Sequence, residues 1–214
     1  MNLRVASAHA GHHTVTALLP APHTPMLLAS LRFDVPYGRL EAGLSGLHDA
    51  IRVRHTSRYP SSERPIPESH RAALVEAAAG EGARPAFLTT PHREAVPDLV
   101  LDAEGLPPHG RRPGGRTARP DPRRPRRITR GRDPGVRLRP RQTRRRRPMR
   151  DFAGRRPIPG HPYADFEKRP QLASLGTTHD GPADWLRAGQ ALERVLLRAT
   201  RQRLATPFAA QPLQ

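Results

Sequence analysis

The stretch Gly181-Pro182-Ala183-Asp184-Trp185-Leu186-Arg187-Ala188-Gly189-Gln190-Ala191-Leu192-Glu193-Arg194-Val195-Leu196-Leu197 decides how the rest of the chain is read. Trp185, Gly189, Leu192, Leu196 and Ala199 recur at spacings of four, three, four and three, the period of one helical face. Arg187, Gln190, Glu193, Arg194 and Arg201 fall on the other side. Asp180-Gly181-Pro182 supplies a cap and a first-turn proline, a helix start with its missing donor already accounted for. This pattern predicts Trp185 as a core anchor and a close backbone approach at Gly189, where glycine otherwise costs up to about 1 kcal/mol against alanine.

Working back from this helix, Gln171 to Thr177 reads as a buried strand. Further upstream the pattern alternates. Asn2 to Ala10 reads as helix ended by Gly11 in a left-handed cap, and Thr14 to Leu19 as a strand partnered by Met26 to Phe33. Leu40, Leu44, Leu47 and Ile51 lie on one helical face. Pro65-Ile66-Pro67-Glu68-Ser69 opens another helix with stripe Ala72, Leu74, Val75 and Ala78, ended by Gly80. Ala86 to Thr89 reads as a strand and Pro91 to Glu104 as a helix disturbed by Pro97. Helices and strands in this order predict an α/β or α+β layered domain.

Between the flanks the pattern disappears. Residues 105–150 hold 18 Arg and 2 Asp, a net +16 of the whole chain's +18, with 9 Pro, 6 Gly and only 6 apolar residues. A segment so charged and so poor in apolar groups cannot offset its chain entropy, which predicts disorder in isolation. Three origins compete for it. One is an arm that neutralises nucleic-acid phosphates, without the aromatic residues that stack on single strands. Another is a solvated linker. The third, which leads, is a stretch outside its original reading frame. The chain has 36 Arg and a single Lys, Lys168, as strongly GC-rich coding DNA gives. Such DNA read in a shifted frame yields chiefly Arg, Pro, Gly and Ala.

Composition excludes several classes. There is no Cys, so disulfides, thiolate metal sites and cysteine nucleophiles are ruled out. No apolar run approaches the roughly 18 residues that cross a bilayer, and Met1 to Gly11 lacks the apolar centre of a secretory signal. No membrane partner and a cytoplasmic location are therefore the expectation. His9, His12 and His13 read as a polar turn and not as metal ligands, since no carboxylate is near to complete a site. Ser57 lacks the glycine context of a hydrolase elbow.

The five residues Arg54-His55-Thr56-Ser57-Arg58 carry the chemistry. Planar guanidinium donors and a hydroxyl close together on a loop suit a terminal phosphate, while salt bridges to Glu63 or Glu68 are the plainer use for Arg54 and Arg58. This motif, with the Pro-x-Pro helix start after it, resembles the Arg-x-Ser-x-Arg/Lys signature of the FMN-dependent nitroreductase family, in its Acg-like branch. Two further stretches are similar to that branch. They are Asn2 to Ala6 with Val15 to Pro20, and Leu172 to Thr177 with Asp184 to Leu197, ending near Gln211-Pro212-Leu213.

The resemblance covers roughly 2–104 and 151–214, and implies a partial nitroreductase-like α+β domain in two segments interrupted by the disordered basic tract at 105–150. It implies that Arg54, His55, Thr56 and Arg58 bind the FMN phosphate, and that hydride passes from NAD(P)H through flavin to a small electrophile. No side-chain acid or base is required. The branch's Asn-x-Gln-Pro-Trp segment and its final strand with basic phosphate contacts have no counterpart, and the lid-like region is replaced by arginines. Those departures predict a truncated chain that holds FMN poorly, with degraded activity and exposed apolar surface. The alternative is a nucleic-acid-associated protein that binds nonspecifically through 105–150.

Overall fold

The computed structural model describes residues 1–34, 43–57, 59–105, 141–142, 163–164, 167 and 169–207. Over these residues the protein is α+β, with five α-helices and three two-stranded sheets.

Helix α1 (Asn2–His9) closes as its sequence suggests. The His12 amide donates to the Ser7 carbonyl and the Gly11 amide to that of Ala8, with Gly11 at φ +82. That pair of bonds is a Schellman turn, and glycine takes its left-handed position without steric cost. Strands β1 (His13–Leu18) and β2 (Ala29–Asp34) pair antiparallel, Thr14 opposite Phe33 and Leu18 opposite Ala29.

The next helix begins later than its apolar spacing suggests. Residues 35–42, with Leu40, lie outside the described residues. Gly43 turns at φ +82, and a 3-10 turn (Ser45–Leu47) leads into α2 (His48–Val53). Leu44 and Leu47 are buried as the period predicts.

Helix α3 (Glu68–Ala79) follows the Pro-x-Pro entry. It buries Leu74, Ala77 and Ala78, whereas Val75 is exposed and Ala77 takes the place expected of it. Gly80 keeps a right-handed φ of −61, and the left-handed residue is Gly82 at φ +78. Amides of Gly82 and Ala83 return to the carbonyls of Ala79 and Ala78. The turn therefore closes two residues beyond the glycine expected to end the helix, because glycine at Gly82 can take the left-handed position.

Strand β3 (Arg84–Phe87) pairs antiparallel with β6 (Ala173–Gly176) across the whole intervening chain. A two-stranded sheet covers little, so β6 is largely exposed, with Leu175 its inward residue, and not the buried strand its apolar content suggested. Helix α4 (Thr90–Gly105) runs through Pro97. A proline removes one backbone donor, and the neighbouring turns continue on either side.

Helix α5 (Pro182–Arg201) packs on α2 and α3 through a face turned from the one expected, of whose stripe Ala199 is fully buried and Trp185 and Gly189 are exposed. Ala191, Leu197 and Ala199 are fully buried, while Trp185 is 61% exposed and a Cβ at Gly189 would meet nothing within 4 Å. The Trp185 indole donates to Asp180 Oδ1 at 2.6 Å, outside the core, so Asp180 holds the tryptophan and Gly181 is the N-cap.

Small residues decide this orientation. One cluster joins Val5 and Ala8 of α1, Leu44, Leu47 and Ala50, and Leu197 of α5. The other joins Ala78, Ala83 and Ala191, with Leu175 and Val195 against it. Alanines at the α3–α5 contact let the two helices approach closely, which a Trp185-led face would prevent.

The chain divides into two compact units. One is Met1–Ser57, Ser61–Arg93 and Glu167–Phe208, which draws both flanks of the arginine tract into one body. The other is Arg58–Pro60, Glu94–Phe166 and Ala209–Gln214, where β4 (Arg141–Gln142) pairs in parallel with β5 (Tyr163–Ala164). Apart from Gly105 and Arg141–Gln142, the expectation of disorder over 105–150 lies outside the described residues. Among the described residues no helix is long and apolar enough to cross a membrane.

Candidate functional site

Arg54 is the C-cap of α2 and turns the backbone extended, with ψ of 124, so the motif leaves the helix as a short open segment. Its amide still donates to Ala50 at 2.9 Å. Thr56 then forms a parallel bridge with Thr206, and the Ser57 amide donates to the Thr206 carbonyl at 3.2 Å. The segment is thus pinned to the chain that follows α5. A second tie comes from the side chains: Arg54 Nε stands 3.6 Å from Glu193 Oε1 on α5.

That separation is long for a charge-assisted hydrogen bond, which closes to about 2.7–2.9 Å, so Glu193 holds the guanidinium loosely. Thr56 is exposed. His55 is exposed as well, and its Nδ1 lies 3.0 Å from the Val53 carbonyl, which can only accept, so Nδ1 carries the proton. Arg58 lies outside the described residues. The structure therefore brings Arg54, His55 and Thr56 together on one loop. Arg54 finds its acidic partner in Glu193 and not in Glu63 or Glu68.

The most tightly built polar cluster is elsewhere in this unit. Glu81 accepts from Arg4 Nη1 at 2.6 Å and from Arg194 Nη1 at 2.7 Å, and only 4% of its side chain is exposed. The turn after α3 places this carboxylate. Gly80 makes room for the Arg194 guanidinium, since a Cβ there would stand 2.9 Å from Arg194 Nη1. One carboxylate between two guanidiniums joins α1, the α3–β3 turn and α5. Burial pushes the Met1 amino group below its ordinary value; Arg4 adds to that effect, and Glu81 and Glu193 oppose it.

A second cluster ties the flanks. Gln171 accepts from the Ile66 amide at 2.8 Å and from Arg71 Nη2 at 3.3 Å, and donates to the Arg64 carbonyl at 2.8 Å. The Arg71 guanidinium also lies 4.9 Å over the Phe87 ring. Neither Glu81 nor Gln171 carries a signal in the sequence. The first reads as a turn residue between glycines, and the second as the edge of a strand.

An open cavity of about 470 Å³ lies between β1, the Gly80–Glu81 turn and the first turns of α5, lined by Arg4, Thr14, Thr16, Arg187 and Gln190 among others. Arg54, His55 and Thr56 are not part of its wall. The donors on the motif loop suit a phosphate. Among the described residues the loop contacts Val53, Glu193 and Thr206.

His9 stacks on His48 with ring centroids 3.9 Å apart, and among the described residues no group of three or more His, Asp or Glu is placed to hold a metal ion. No protein-family model matches the chain, and no curated protein is detectably similar to it.

Proposed function

We propose that the chain is a nitroreductase-like FMN-binding oxidoreductase in degraded form. In this reading Arg54, His55, Thr56 and Arg58 face the phosphate of the flavin, and hydride transfer from NAD(P)H to a small electrophile is lost or slow. One observation carries the reading. The arginine motif and the α5 stretch, on which the resemblance independently rests, meet through the Thr56–Thr206 bridge and the Arg54–Glu193 pair. The arginine tract that stands where the branch has its lid-like region is the ground for lost or slow turnover.

The test is an FMN titration of the full chain, followed by flavin fluorescence and visible absorbance. Saturable quenching is expected, weakened roughly tenfold or more in Arg54→Ala, as removal of a charged donor to phosphate predicts. Arg54 sits in a loose, partly exposed pair, so that variant keeps its stability to within about 1 kcal/mol. Absence of quenching, or equal quenching in both proteins, overturns the flavin reading. NAD(P)H oxidation at a rate ordinary for an enzyme overturns the loss of turnover.

The 18 arginines of 105–150 favour a second reading, nonspecific nucleic-acid association. A colourless protein whose duplex affinity falls by a factor on the order of a thousand between 50 and 200 mM salt selects it.

A further inference from the structure

We draw no further inference here: the strongest candidate, the open polar cavity between β1, the Gly80–Glu81 turn and the first turns of α5, carries nothing because its arginines Arg4 and Arg187 are already held by Glu81 and Asp184 and nothing in the structure shows what would fill it.

Discussion

Glu81 shows what a single buried charge does to this body. Its carboxylate satisfies Arg4 and Arg194 at once, and both guanidiniums are themselves nearly buried, with 11% and 12% of their side chains exposed. Neutralising the carboxylate removes the buried anion that both nearly buried guanidiniums share, a loss far greater than the net contribution of the intact group. Glu81→Gln is expected to destabilise the fold by about 3 kcal/mol and to lower its melting temperature by roughly 6–12 °C in a thermal scan. The triple replacement Arg4→Met, Glu81→Leu, Arg194→Met is expected to cost much less, because the cluster then holds no buried charge. Equal losses in the two proteins would mean that the cluster acts through packing alone.

Arg203 is a second informative position. It holds φ +58 where α5 ends, with the amides of Arg203 and Leu204 returning to Thr200 and Ala199. That is the left-handed position glycine fills at Gly11, so Arg203→Gly is expected to raise stability by about 0.5–1 kcal/mol in the same scan. The sequence announces Gly11 as such a cap and is silent at Arg203, because an arginine there looks like any last-turn cation.

At the scale of elements, the order of helices and strands is legible and the buried face of α5 is not. The α5 period is clear, but it marks two apolar directions, and the choice between them falls to what α3 offers. Ala78 of α3 and Ala83 after it present a low surface that accepts Ala191, while Leu197 drops into the cluster formed with α1 and α2. Leu197→Ala is therefore expected to cost about 2–4 kcal/mol, and Trp185→Ala less than about 1 kcal/mol, when both are measured by denaturant unfolding. The reverse ranking would restore the tryptophan-led core. Among the motif residues, the sequence marked Arg54, His55 and Thr56 as a group. Their tie to α5 through Glu193 depends on tertiary packing that no local pattern encodes.

For the whole molecule, most of each flank, Met1–Ser57 and Ser61–Arg93 with Glu167–Phe208, forms one unit through β3–β6, α3–α5 and the Gln171 contacts. Their apolar content made a shared core legible before any coordinates. Its modest size was not legible, and it leaves Met26 88% exposed and Phe33 58% exposed. If the tract contributes nothing to this core, deleting residues 106–140 only shortens a connection, and closing a shorter loop changes stability by less than about 1 kcal/mol. A deletion variant that keeps its cooperative thermal transition is the expected outcome. Loss of that transition would make the arginines part of the fold.

The pairing of β3 with β6 also sets a timetable for synthesis. When Phe87 leaves the ribosome, its strand partner at Ala173 has not yet been made, and at about 5–20 residues per second the wait lasts on the order of 4–17 s. Throughout that interval Ala78 of α3 lacks Ala191 of α5, its neighbour in the folded core. Transiently exposed apolar surface favours aggregation, so slowing synthesis between Phe87 and Ala173 is expected to lower the yield of folded protein.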